Sequence, residues 1–166
     1  MTATAATRDR VAAFLDSDYS RVVGAVAFAT GDRERAEDAV QDALVKTLSE
    51  DREPDNLSAW ITVVAINYVK QSWRRADAQH RAYVRAVDYA DGEDDESDRS
   101  VDIIAVHDAM QHLPERQRVT LALHYFEGLT VSQIGDTLGV SVGTVKTQLS
   151  RGRHALASAL GTEVAS

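Results

Sequence analysis

The sequence contains no cysteine, only two prolines and few aromatic residues. The absence of cysteine excludes disulfide bonds and thiolate metal sites. The scarcity of proline, and the recurrence of apolar residues every three or four positions, predict an all-helical protein. No apolar run is long enough for a signal peptide or a membrane span, so we expect a cytoplasmic protein without membrane insertion.

Signs of enzymatic chemistry are also missing from the sequence. Its five histidines include no pair at the four-residue spacing of a helical metal site. There is no glycine-rich loop of the kind that binds phosphate, and no nucleophile motif. We therefore expect no catalytic residue, no metal, no cofactor and no enzymatic activity.

The formal net charge is −8, but the acidic residues are concentrated in one segment. Residues 88–102, DYADGEDDESDRSVD, hold eight acidic residues and one arginine. The flanking segments, residues 1–87 and 103–166, are nearly neutral, so local patches decide what they bind. Because the acidic segment has few apolar residues, it predicts a flexible, disordered linker between two small helical domains.

Three helices are predicted in the N-terminal domain. The first spans roughly residues 8–29; Gly31 interrupts it, and Asp32 is a candidate cap for the second. The second helix has a buried stripe of alanine, valine and leucine, with acidic residues crowding its outer face. A polar loop containing Pro54 leads to a third helix, which begins near Ser58 and extends into the early eighties.

The third helix carries an apolar stripe and a neighbouring stripe that begins at Trp60 and ends in basic residues. An aromatic side chain beside amides and cations suits single-stranded or melting DNA, because bases can stack and phosphates can pair there. Alternatively, Trp60 belongs to the core and the arginines are solvated. This helix alone supports the second interpretation at least as well.

Two short helical patterns meet at a glycine in the C-terminal domain. Thr130 and Gln133 are spaced as a capping box at the start of the first, and Gly139 can end it in a left-handed conformation. Ser141 is a good cap for the next helix. The turn of about three residues favours a helix-turn-helix. Two further helices precede this pair, with Pro114 at the first position of the later one.

The second helix of this pair has an apolar side and a polar side. Val142, Val145 and Leu149 are expected to pack inward, and Gly152 would allow close approach of another helix. The polar side has no acidic residue and consists of Gly143, Lys146, Thr147, Ser150, Arg151 and His154. Any surface helix has a polar side. Because this one is basic and lies on the second helix of the pair, we favour contact with phosphates and base edges in a major groove.

The order of these parts resembles the bacterial RNA polymerase sigma factors, specifically the extracytoplasmic-function class of the sigma-70 family. The sequence LALHYFEGLTVSQIGDTLGVSVGTVKTQLSRGRHAL is similar to that family's promoter-reading helix-turn-helix. AEDAVQDALVKTL is similar to its polymerase-clamp helix, and LSAWITVVAINYVKQSWRR to its strand-opening helix. Three motifs in the family's order make the resemblance specific. One departure is Gly135, which stands where alanine is usual and should weaken its helix by about 1 kcal/mol.

The resemblance implies a transcription initiation factor that binds core RNA polymerase and directs promoter recognition and strand opening. The residues expected to bind the polymerase clamp are Asp38, Gln41 and Asp42. Those expected to engage the minus-ten element are Asn56, Trp60, Asn67, Lys70, Gln71, Arg74 and Arg75, with residues 53–58 holding a flipped base. Those expected to read the minus-thirty-five element are Thr144, Lys146, Thr147, Ser150 and Arg151. Many members of the family are held inactive by an anti-sigma factor, which is a further candidate partner.

A second hypothesis is a stand-alone regulator that binds duplex DNA through the same helix-turn-helix, without docking on polymerase. Its N-terminal helices would then dimerise or sense a ligand. This hypothesis leaves the basic third helix unexplained. It predicts tight operator binding in the absence of polymerase.

Overall fold

The computed structural model describes residues 2–84 and 100–161, and every regular element within these ranges is a helix. The eight helices there are α1 (Ala5–Ser17), α2 (Tyr19–Thr30), α3 (Arg33–Ser49), α4 (Leu57–Val84), α5 (Ser100–Gln111), α6 (Glu115–Tyr125), α7 (Val131–Leu138) and α8 (Val142–Leu160). Most of the predicted acidic linker lies outside the described residues. Helix α5 begins at Ser100, so its first turn overlaps the end of that segment.

The prediction of one helix over residues 8–29 is wrong, because the structure has two helices that meet at Asp18. Asp18 ends α1 and precedes α2, with φ −112° and ψ −15°. Its N–H donates to the Phe14 carbonyl, and its own carbonyl accepts from Val22 N–H. The hydrogen-bond ladder is therefore nearly continuous through the break. The apolar spacing continues as well, which is why the sequence pattern did not reveal two helices.

Side-chain caps fix where the next two helices begin. The Asp32 carboxylate accepts from the Arg35 backbone N–H at 3.1 Å and caps α3, as predicted. The Asn56 side-chain oxygen accepts from Ala59 N–H at 3.0 Å, at the start of α4. Helices α2, α3 and α4 pack together around buried residues such as Val26, and the alanine-rich stripe of α3 is buried as expected.

The helix-turn-helix forms with the predicted caps. Thr130 and Gln133 make the reciprocal capping box of α7, and Gly139 ends that helix at φ +68°. Ser141 caps α8 by accepting from Thr144 N–H at 3.1 Å. Pro114, however, is the cap residue that precedes α6 and not its first helical residue.

The buried side of α8 begins one turn later than predicted. Val145, Leu149 and Gly152 are buried, but Val142 is exposed. Side chains on a helix point back toward its N-terminus, so that of the first residue projects past the helix end. At Gly152, an added β-carbon would lie 3.0 Å from Leu121 Cδ1, which bears out the expected close approach between α8 and α6.

The two helical units, α1–α4 and α5–α8, are in contact. Helix α2 packs against α5 and α6, and α4 against α7, so the buried apolar residues form one continuous cluster. Phe28 of α2 and Phe126, directly after α6, have ring centroids 5.0 Å apart. The sequence had left the relative placement of the units open.

Candidate nucleic-acid interface

The exposed face of α3 carries the three residues predicted to bind polymerase. Gln41 and Asp42 lie three and four residues after Asp38, so both neighbour Asp38 on one side of the helix, and all three are exposed. Gln41 Nε2 lies 3.5 Å from the hydroxyl oxygen of Tyr19. These side chains therefore form an acidic surface that packing within the described residues leaves exposed.

The residues predicted to engage the minus-ten element lie in two different environments along α4. The exposed ones are Asn56, Asn67, Gln71, Arg74 and Arg75. Trp60 and Lys70 are half-buried, and Trp60 packs against the apolar core. The predicted stripe is therefore open at Gln71, Arg74 and Arg75 and partly covered at Trp60 and Lys70.

The covering comes from the C-terminal unit. The ammonium of Lys70 lies 2.5 Å from Glu115 Oε1, at the start of α6. A cavity of about 220 Å³ separates α4 from the helix-turn-helix and is lined by Asn67 and Lys70 on one side and by Thr144 on the other. A second groove brings Asn56 and Trp60 opposite α7.

On α8, four of the five residues predicted to read the minus-thirty-five element are exposed, namely Lys146, Thr147, Ser150 and Arg151. Neither Lys146 nor Arg151 forms an ion pair with a residue that the structure describes. Thr144 is half-buried, and its hydroxyl lies 2.9 Å from Ser141 Oγ. The structure therefore places Thr144 at the helix cap, and the other four on an open basic face.

Sequence reasoning missed the contact that joins the two units most closely. Glu127, in the turn between α6 and α7, has a side chain only 1% exposed. Its Oε2 accepts from Arg21 Nη1 at 2.6 Å and from Ser58 Oγ at 2.7 Å, and its Oε1 accepts from Thr62 Oγ1 at 2.9 Å. All three donors belong to the N-terminal unit. No local pattern signals a partner more than sixty residues away, so the sequence could not have indicated this contact.

Arg21 holds this contact from the surface side. Its Nη1 also donates to the Phe126 carbonyl at 3.0 Å, and its Nη2 donates to Asp18 and Ser58. Partial burial alone would lower the pKa of Arg21. Hydrogen bonds and charge attraction from Asp18 and Glu127 outweigh that effect and raise the pKa above its ordinary value. Arg21 is therefore a fixed cation at the boundary of the two units.

No helix in the part of the chain that the structure describes is long and apolar enough to cross a membrane. No three or more histidine, aspartate or glutamate side chains there are grouped so that they could hold a metal ion.

Comparison with known proteins links both units to one family. Residues 15–79 match the family model described as Sigma-70 region 2, and residues 103–156 match Sigma-70, region 4. The ECF RNA polymerase sigma factor SigL of Mycobacterium tuberculosis is 29% identical over 130 residues, which are 72% of this chain and 71% of SigL. SigM of the same species is 31% identical over 134 residues, 77% of this chain and 65% of SigM.

More distant relatives cover most of the chain. RNA polymerase sigma-H factor of Pseudomonas aeruginosa is 28% identical over 155 residues, 84% of this chain and 80% of that protein. Among solved structures, the Bartonella quintana sigma factor RpoE, crystallised with the anti-sigma factor NepR, superposes with a TM-score of 0.76. That match covers 95% of this chain and 99% of RpoE at 22% identity, so it bears on the fold alone.

Proposed function

The chain belongs to the extracytoplasmic-function class of the sigma-70 family of transcription initiation factors, and from that premise we propose how its surfaces divide the work. The α3 face docks on core RNA polymerase, the α4 stripe captures the opening minus-ten element, and the α8 face reads the minus-thirty-five element. The chain has no catalytic activity of its own and works beside polymerase in the cytoplasm.

One observation carries this division. The segment that matches region 2 exposes an acidic face on α3, and the segment that matches region 4 exposes a basic face on α8. Carboxylates suit a basic protein surface, whereas lysine, arginine and hydroxyl groups suit phosphates and base edges. The acidic face of α3 therefore suits a protein partner, and the basic face of α8 suits DNA, although the whole chain is acidic.

The α4 stripe supports the same division. Its exposed amides and arginines can pair with bases and phosphates of a melting strand, and Trp60 offers a ring on which a base could stack. The side-chain oxygen of Asn56 already accepts a hydrogen bond at the start of α4 and caps that helix. Its amide nitrogen can still donate to a base held by residues 53–58.

An anti-sigma factor remains a candidate partner. The structural neighbour RpoE was crystallised with one. That likeness supports a shared fold. An anti-sigma factor would recognise a surface of that fold. Co-purification with a small regulator from the native host would support this partner.

The test of the proposed function is run-off transcription with core polymerase and a genomic library. We expect transcripts that start at a defined set of promoters and that are absent with core polymerase alone. Co-migration with core polymerase serves as the companion measurement. Tight binding to duplex DNA, with neither co-migration nor transcripts, would instead support the stand-alone regulator.

A further inference from the structure

The loop of residues 51–56, between α3 and α4, begins in an unusual backbone conformation. Within residues 2–84 and 100–161, Asp51 is the only residue other than glycine with positive φ, at +49°. A side chain is disfavoured in this region, so such a residue persists only where its surroundings hold it there. The start of this loop is therefore held by contacts from outside the loop.

Those contacts come from the first turn of α1. The Thr7 hydroxyl donates to Asp51 Oδ1 at 2.5 Å, and Thr4 N–H donates to the same oxygen at 3.0 Å. Thr7 is only 1% exposed, so water does not compete for its hydroxyl. The Thr4 side chain in turn caps α1 by accepting from Thr7 N–H at 3.2 Å. The cap of α1 and the start of the loop are thus fixed to each other.

The contacts continue along the loop. Glu53 Oε1 lies 3.4 Å from the hydroxyls of both Thr4 and Thr7. One turn further along α1, Arg10 Nη2 donates to the Pro54 carbonyl at 2.5 Å, and a hydrogen bond from a charged donor is among the stronger ones. We call the contacts of Thr4, Thr7 and Arg10 with this loop the α1 brace. The brace ends two residues before Asn56, which caps α4.

The family match does not imply this role for α1. The match to Sigma-70 region 2 begins at residue 15, so the loop lies inside it and the three bracing residues lie outside it. The division of surfaces proposed above also leaves α1 without a task. Arg10 nevertheless lines the same open groove as Asn56, which places the brace beside the residues expected to hold a flipped base.

A loop that holds a base must have one conformation when the base arrives. Ordering a mobile loop during binding costs conformational entropy, and a loop that is already ordered avoids that cost. We propose that Thr7 and Arg10 hold residues 51–56 in the conformation that receives the flipped base of the minus-ten strand. The inference rests on the function proposed above, which assigns that base to residues 53–58. Thr7 and Arg10 are positioning residues, because they act through the loop.

The first experiment measures the order of the loop in the free protein. The chain has no cysteine, so Asp55→Cys, at an exposed position in the loop, can carry a single spin label. We expect restricted label motion by electron resonance in the otherwise wild-type chain. Thr7→Val, which removes the hydroxyl, and Arg10→Ala should each add a mobile component, and Thr7→Ser, which keeps the hydroxyl, should not. If Thr7→Val loses helicity, the half-buried Arg10 position decides the result. Equally restricted motion in the folded variants would overturn the brace.

The second experiment measures base capture by the holoenzyme. Its probes are single-stranded oligonucleotides of the minus-ten element that run-off transcription identifies, with an abasic nucleotide at each position in turn. At the flipped position, an abasic nucleotide should weaken binding of the wild type. We expect Thr7→Val and Arg10→Ala to shrink that penalty by about threefold or more, while their affinity for the abasic strand stays unchanged. Arg8→Ala removes the same charge from an exposed position on α1 and should keep the wild-type penalty.

The possible results separate the brace from the function on which it rests. Equal losses of affinity for every strand would mean that Thr7 and Arg10 only support the fold, which contradicts the proposal. A full penalty in variants with a mobile label would contradict it as well, because loop order would not matter for base capture. If the wild-type holoenzyme shows no penalty at any position, the role proposed for residues 53–58 fails, while the label in the free protein still decides whether α1 orders the loop.

Discussion

Gly135 and Val140 approach each other so closely across the turn of the helix-turn-helix that a side chain on Gly135 has no room. An added β-carbon would lie 2.8 Å from the Val140 carbonyl oxygen, a distance that forces a shift of the backbone. Val140 N–H also donates to the Gly135 carbonyl at 3.0 Å. The glycine that weakens α7 by its low helix propensity is therefore required by the fold of the turn that follows.

We accordingly expect Gly135→Ala to lower the free energy of unfolding by about 1 kcal/mol or more, because the steric cost exceeds the gain in helix propensity. Gly143→Ala on α8 is the matched control, since the nearest atom to its added β-carbon lies 3.9 Å away. That variant should raise stability by up to about 1 kcal/mol. Urea unfolding of both variants checks this, and a stabilised Gly135→Ala would show that the turn adjusts freely.

The acidic face of α3 gives a prediction about polymerase. Asp38→Arg combined with Asp42→Arg should abolish binding to core polymerase through repulsion from a basic clamp, without unfolding the domain, because both positions are exposed. Asp9→Arg with Asp16→Arg on α1 changes the net charge equally at exposed positions and should bind as the wild type does. Affinity is measured by titrating labelled protein with core polymerase. Undiminished affinity in the folded α3 variant would remove this face from the docking surface.

On the basic face of α8, we expect Arg151 to read the base sequence and Lys146 to anchor the DNA backbone. Arginine can pair bidentately with guanine, whereas lysine on a phosphate carries no sequence information. Arg151→Ala should cost about 1–3 kcal/mol on the cognate upstream element and much less on scrambled DNA. Lys146→Ala should weaken both similarly and reduce the salt dependence by about one phosphate contact.

Holoenzyme affinity for cognate and scrambled upstream elements across a salt series distinguishes these two roles. Both variants should keep wild-type helicity, because their side chains are exposed while Val145 and Leu149 are buried. Equal losses on both DNAs for Arg151→Ala would mean that Arg151 holds DNA without reading it.

Asp51 ties the N-terminus of α1 to the end of α3, and this gives a prediction about pH. Its carboxylate accepts from the Thr7 hydroxyl, from the Thr4 hydroxyl and from Thr4 N–H. These hydrogen bonds, led by that of Thr7, lower the pKa of Asp51 below its ordinary value of 3.8. A carboxyl whose pKa is lowered by folding contributes stability above its unfolded pKa and loses it as the pH falls through the folded pKa.

Asp51→Asn should therefore be less stable than the wild type at pH 6, and the difference should shrink as the pH falls below 3.8. Asparagine also tolerates the positive φ of +49° at this position, so the backbone is not the cause of any loss. Chemical unfolding at a series of pH values gives the comparison. A stability gap that is constant over this range would mean that the charge of Asp51 does not matter.

Much of the fold follows from short-range chemistry that a sequence displays. The caps at Asp32, Thr130 and Ser141 depend on residues three positions apart, and Gly139 ends a helix because it alone adopts a left-handed conformation cheaply. The break at Asp18 was missed because the hydrogen bonds and the apolar spacing both continue through it. Local patterns therefore located most helix ends, but not an interruption that keeps the pattern intact.

The candidate surfaces were predictable to a different degree. An exposed charged face, such as that of Lys146 and Arg151, follows from helical spacing. The half-burial of Trp60 and Lys70 depends on which residues the other unit brings near, as does the complete burial of Glu127. Such long-range placement is set by the sum of packing over the whole chain, and no short window of sequence contains it.

The Thr147 hydroxyl is already committed within its own helix, since it donates to the Gly143 carbonyl at 2.9 Å. A hydroxyl whose only proton is already donated can accept a further hydrogen bond through its lone pairs but cannot donate one. In a major groove it would therefore select the exocyclic amino group of adenine or cytosine, and it would have nothing to give to guanine or to the O4 of thymine. Arg151, one turn further along, carries hydrogen-bond donors and no acceptor. It would therefore pair with a base that presents acceptors.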